Sequence, residues 1–293
     1  MPQSLDSFDN DYYVGETPRL GNVPDLRVPN EGQYPTNVGI YSPGAEEPFS
    51  GGEKFRGSSE LPLTSEGLMK AHTLAQKLAM KGGLDRIVTS DLGRTVQTAK
   101  IISHYTHAPV TDITKALGPW HLGGLEGQPV DKDNVDLMNH LISEEPDLKL
   151  PGRGPLSTSD GESFNDFRRR TLPYLQKLIG EARSRPQERT GVVTHYRVRK
   201  LLEAWMRNGM PDDGSIDSGE MTLNSSNNKP GSLERLHVDP FNGPQLSNVD
   251  LDHMGLLQGG LYFIRHEDTP WNRKESGFSR GPNKPLDRSG LST

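Results

Sequence analysis

Cysteine is absent from the 293-residue chain, which excludes disulfides, thiolate metal sites and every cysteine nucleophile. Apolar residues are also scarce: 31% of the chain is hydrophobic, 6% aromatic, and the mean hydropathy is −0.70. No apolar run approaches the roughly 20 residues of a membrane-spanning helix. The start, MPQSLDSFDNDYY, lacks the basic and apolar regions of a secretory signal, so a soluble, cytoplasmic protein with no membrane partner is expected. A net charge of −6, without a block of five like charges, offers no basic field for nucleic acid. His72, His104, His107, His140, His237 and His253 show no metal-ligand spacing, so neither metal nor cofactor is expected.

What is abundant is glycine and proline, 32 and 23 residues, a composition that points to a folded domain diluted by irregular segments. Residues 1–37 read as an extended or disordered arm, and Val38–Tyr41 as a short strand. From Thr64 the pattern turns regular. Leu68, Ala71, Ala75 and Leu78 recur at helical spacing behind a Thr64 N-cap, up to Lys81-Gly82-Gly83. DRIVTS is a strand ending in Ser90, with Asp91 as the cap of the helix LGRTVQTAKIISHY. Asn134–Ile142 and Ser163–Ala182 read as helices, GVVTH as a buried strand, and Val198, Leu201, Leu202 and Trp205 as one face of the next helix. Residues 209–258 form a polar insert with one strand at LERLHV, and LYFI is a last strand. Alternating strands and helices predict an α/β fold of three layers, a mainly parallel central sheet flanked by helices, with ligands beyond the carboxyl ends of the strands.

Three of those strand ends carry similar side chains. Ser90 and Arg94 follow DRIVTS, His195 ends GVVTH, and Arg265-His266 end LYFI. Two histidines and two arginines suit a phosphoryl group, because a neutral imidazole can attack phosphorus and guanidinium forks can hold its oxygens. Taken singly, each has a plainer reading: a surface pair for Arg265-His266, a core histidine for His195, a local ion pair with Asp91 for Arg94.

The blocks LPLTSEGLMKAHTLAQKL, IVTSDLGRTVQTAKII, LGGLEG, GESFNDFRRR and GVVTHYRVRKLLEAW, in this order, resemble those of the histidine phosphatase superfamily, the phosphoglycerate-mutase-like fold, over about residues 55–210. The resemblance implies a phosphomonoester hydrolase acting through a phosphohistidine, on a phosphorylated small molecule. In that family an Arg-His-Gly motif on the first strand supplies the nucleophile, yet Ser42-Pro43-Gly44 stand near its expected place. IRHEDTPWN, near the C-terminus, resembles the missing motif. Carried over, Arg265 and Arg94 bind phosphate, His266 is the nucleophile, His195 the second histidine, carrying a proton during transfer, and Asn272 the downstream asparagine. Glu267 replaces the usual glycine, and Pro119 stands where many relatives have a proton-donating glutamate, leaving His121, Glu126 and Glu162 as candidate donors.

A repeat accompanies the displaced motif: Arg56–Leu68 and Arg280–Leu291 share the skeleton RG, PL, GL. The expectation is that residues 259–293 complete the sheet of the domain at 38–258, in cis as in a circular permutant or in trans by strand exchange in a homo-oligomer. The rival is a catalytically silent scaffold, for example of a phage assembly, which would place the chain in a virion.

Overall fold

A computed structural model describes residues 54–152, 159–216, 218–221, 232–239 and 243–266. The arm at 1–37, the strand expected at 38–41, Asn272 and the second copy of the repeat lie outside the described residues.

The helices start where capping chemistry allows. The Thr64 hydroxyl accepts from the Gly67 N–H and opens α1 (Ser65–Met80), whose buried stripe includes Leu68, Ala71, Leu74, Ala75 and Leu78. Gly82 and Gly83, both at positive φ, turn the chain into β1 (Arg86–Ser90). α2 (Gly93–Thr106) departs from expectation at its start: the N-cap is Leu92, which makes no side-chain cap bond. Asp91 lies one residue outside the capping position. The Gly93 N–H is met instead by the Glu60 carboxylate, at 3.1 Å. α3 (Lys132–Ser143) is capped by Asp131, and α4 (Phe164–Ser184) by Ser163. β3 (Arg189–Thr194) runs into α5 (Tyr196–Arg207), and β6 (Gly260–Arg265) is the last element among the described residues.

Three further strands complete the sheet. β2 (Val110–Thr114) is a short edge strand, and β4 (Leu233–Asp239) forms an antiparallel hairpin with β5 (Gly243–Asn248). β4 was expected; β2 and β5 were not, because VTDIT and GPQLSN are short, polar edge segments without a decisive alternation. The order is β2-β1-β3-β6-β4-β5. The first four are parallel, and β4 runs antiparallel to β6.

β6 therefore lies inside the sheet, with six paired positions on β3 and four on β4. Its side chains alternate between two cores, as the period of a strand requires. Leu261 and Phe263 join Val88, Val192 and the residues of α3, α4 and α5 on one face. Tyr262 and Ile264 join Ile87, Val193 and the residues of α1 and α2 on the other. The approach to β6 is tight: a Cβ on Gly259 would fall 1.9 Å from the Pro186 carbonyl oxygen, which only glycine permits.

Candidate active site

Because β1, β3 and β6 are adjacent and parallel, their carboxyl ends open at one place. The His266 N–H donates to the Thr194 carbonyl at 3.3 Å, so the residues after β3 and β6 emerge side by side. His195 and His266 are 3% and 2% exposed, with ring centroids 5.2 Å apart in an edge-on arrangement.

Arg94, in the first turn of α2, reaches under this pair and is 1% exposed. Its Nε donates to His266 Nε2 at 3.3 Å, while its Nη atoms donate to the carbonyls of Ser59 at 2.7 Å and Gly57 at 3.1 Å. Burial lowers its pKa to about 10, against the pull of Glu60 and Glu126. It stays charged at neutral pH. A guanidinium donating to Nε2 makes that nitrogen an acceptor, so a neutral His266 carries its proton on Nδ1. Its lone pair then points at the group that would orient an anion.

His195 is bound from the other side. Its Nε2 lies 2.7 Å from Ser90 Oγ, which lies 2.7 Å from Thr95 Oγ1. Burial first, then the positive fields of Arg94, His266, Arg56 and Arg265, hold its pKa well below the ordinary value. Burial and those fields thus disfavour a charge on His195. Arg265 lies against the Tyr196 ring, its guanidinium carbon 5.3 Å from the centroid; Arg197 is 5.6 Å from the same ring. Arg197 is buried and donates to the Met221 carbonyl and Met138 Sδ, whereas Arg199 leaves the site to pair with Glu203 and Glu234.

The three proposed donors differ in their surroundings. Glu126, 2% exposed, accepts from the Ser58 N–H, Ser58 Oγ, Ser59 Oγ and the Leu122 N–H, all at 2.7–3.1 Å. It is a bracket for the loop that Arg94 clamps. Glu162 pairs with Arg170 and accepts from the His121 N–H. His121 is partly open, its Nε2 3.8 Å from Glu126 Oε1. At the position of the missing glutamate, the Pro119 carbonyl accepts from Arg170 Nη2. Arg170 caps the carbonyls of Lys115, Gly118 and Pro119. Glu60 and Thr95 were not singled out. Glu60 meets Gly93 across 33 residues of chain, a separation that leaves no local signature.

The α/β sheet thus brings two buried histidines and a buried arginine together beyond the carboxyl ends of its adjacent parallel strands. The chain belongs to the histidine phosphatase superfamily (branch 1), whose sequence profile matches residues 45–225. That match stops short of β6. Probable phosphoglycerate mutase GpmB of Yersinia pestis (strain Pestoides F) is 31% identical over 135 residues, covering 45% of this chain and 58% of that protein. The Yersinia pseudotuberculosis counterpart matches equally. The chain thus spans less than two thirds of the length of these relatives. Among solved structures, the alpha-ribazole phosphatase from Shigella flexneri superposes with a TM-score of 0.50 at 19% identity, over 70% of this chain and 92% of that one. A putative alpha-ribazole-5'-P phosphatase from Escherichia coli also scores 0.50 at 19% identity, over 71% and 96%. Both likenesses support the fold.

Proposed function

We propose that the protein is a phosphomonoester hydrolase working through a phosphohistidine on His266. The observation that carries this reading is the bond from Arg94 Nε to His266 Nε2, with His195 against the same ring. A phosphate entering here draws Arg94 and Arg265 to its oxygens and releases the Nε2 lone pair for attack. The N–P bond forms as the ester P–O bond breaks, and the leaving oxygen takes a proton. Water then attacks phosphorus, the N–P bond breaks, and inorganic phosphate leaves. The charge gathering on the equatorial oxygens is met by Arg94, Arg265 and a His195 that becomes protonated in their company.

β6 takes, in this reading, the place of the family's first strand, as in a circular permutant. Its lying beyond the matched residues 45–225 while pairing with β3 supports that arrangement. The substrate is a phosphorylated small molecule. A silent scaffold is favoured by one observation, the proline at position 119 whose carbonyl is taken by Arg170. The test is release of phosphate from p-nitrophenyl phosphate by wild type and His266→Ala, with trapping of an acid-labile phosphoprotein. Turnover in wild type alone supports the phosphohistidine. Equal rates, or none in either, reject hydrolysis through His266 on that ester.

A further inference from the structure

We propose that Thr95 is a positioning residue that acts through Ser90 to hold neutral His195 in the tautomer protonated on Nε2, making Nδ1 the nitrogen at which the ring gains and gives up a proton. Three contacts of 2.7 Å run in series: His195 Nε2 to Ser90 Oγ, Ser90 Oγ to Thr95 Oγ1, and Thr95 Oγ1 to the Leu92 carbonyl. Ser90 and Thr95 are fully buried and His195 is 3% exposed.

Each hydroxyl has one proton to give and two lone pairs. The far end of the chain is a carbonyl, which can only accept, so Thr95 gives its proton to Leu92. Thr95 then accepts from Ser90. Ser90, its proton spent, accepts from the imidazole, and its second lone pair faces the Leu92 N–H at 3.4 Å. Reversing Ser90 so that it donates to His195 leaves one of the other two contacts without a proton, two oxygens facing each other at 2.7 Å. In a buried site such a contact loses a hydrogen bond and adds repulsion. Only one direction puts a proton in all three contacts.

The direction of the relay follows from the distances alone; its catalytic meaning rests on the phosphatase reading. For that reaction, a cationic His195 beside a bound phosphate keeps Nε2–H on Ser90 and exchanges its other proton at Nδ1. The cations around the ring, Arg94, His266, Arg56 and Arg265, set when that second proton is held. They do not choose the nitrogen.

The test is the ring nitrogen spectrum of the full chain labelled with 15N-histidine, titrated upward until His195 is neutral and assigned against His195→Gln. Wild type and Thr95→Ser are expected to show a protonated Nε2 and a bare Nδ1. In Thr95→Val, which keeps the volume, Ser90 loses its acceptor and donates to His195, so the two nitrogens exchange character. Turnover of p-nitrophenyl phosphate should then fall on the order of tenfold in Thr95→Val and recover in Thr95→Ser. A bare Nε2 in neutral wild type, or unchanged nitrogen shifts in Thr95→Val, overturns the proposal. Should Thr95→Val fail to fold, wild type and Thr95→Ser decide, a bare Nε2 in either overturning it. If wild type releases no phosphate but shows the Nε2 proton, the phosphatase reading fails and the relay stands.

Discussion

Truncation after Gly259 is the most direct perturbation of this fold, because it removes β6 and leaves every other described element in place. Leu261, Tyr262, Phe263 and Ile264 are each at most 2% exposed. Burying such side chains contributes about 1.5–3 kcal/mol apiece, so four amount to roughly 6–12 kcal/mol. The loss also strips the partners from β3 on one side and β4 on the other, leaving ladder groups without hydrogen bonds. Domain stabilities are about 5–15 kcal/mol, so the truncated chain should show no cooperative unfolding transition by circular dichroism or calorimetry. A synthetic peptide spanning residues 257–272, added in excess, should restore part of the transition if the slot between β3 and β4 persists. An unchanged melting temperature would show that β6 is an appendage and would remove the basis for placing His266 in the site.

Glu126→Gln tests whether this carboxylate donates a proton: the amide oxygen can replace Oε1 for Ser58 and Leu122, so turnover should stay within a few-fold, whereas a proton donor would lose about 10²-fold or more. Glu126→Ala leaves four donors without their acceptor and should destabilise by about 3–5 kcal/mol, read from denaturant midpoints. Gly259→Ala puts a Cβ 1.9 Å from a backbone oxygen, and a melting temperature equal to wild type would refute the close approach. The depressed pKa of His195 predicts a pH effect on stability. Below the ordinary value of 6.5 the unfolded chain takes up the proton first, so stability present at pH 7.5 should fall through acid by up to about 1.4 kcal/mol per pH unit. His195→Gln should show a shallower fall from this source, and an identical slope would refute the assignment.

Much of the fold was readable because local chemistry and packing agree. Thr64 caps its helix as its sequence context predicts, and RIVTS and GVVT are short, apolar and bounded by turns. That His195, His266 and Arg94 lie together is an expectation from strand ends that can converge in an open α/β sheet and from the family resemblance. What escaped detection depends on distant partners. Asp91 looked like the cap of α2 until the tertiary structure supplied Glu60. Arg170 carries no local signature of its role because its partners, the carbonyls at 115–119, come from another part of the chain. Polar edge strands such as β5 bury too little to imprint a pattern.

The position of β6 in the sheet also sets an order of events during synthesis. β3 and β4 are made before β6, yet each needs it as a neighbour. Until residue 264 clears the ribosome, β3 keeps an open parallel edge, and the β4–β5 hairpin has no strand to join. The growing chain therefore carries an unfilled slot between apolar faces, a state prone to pairing with another chain. The contacts that close it are distant in sequence, a topology that slows folding. The same strand that brings His266 to Arg94 is the one for which the rest of the sheet must wait.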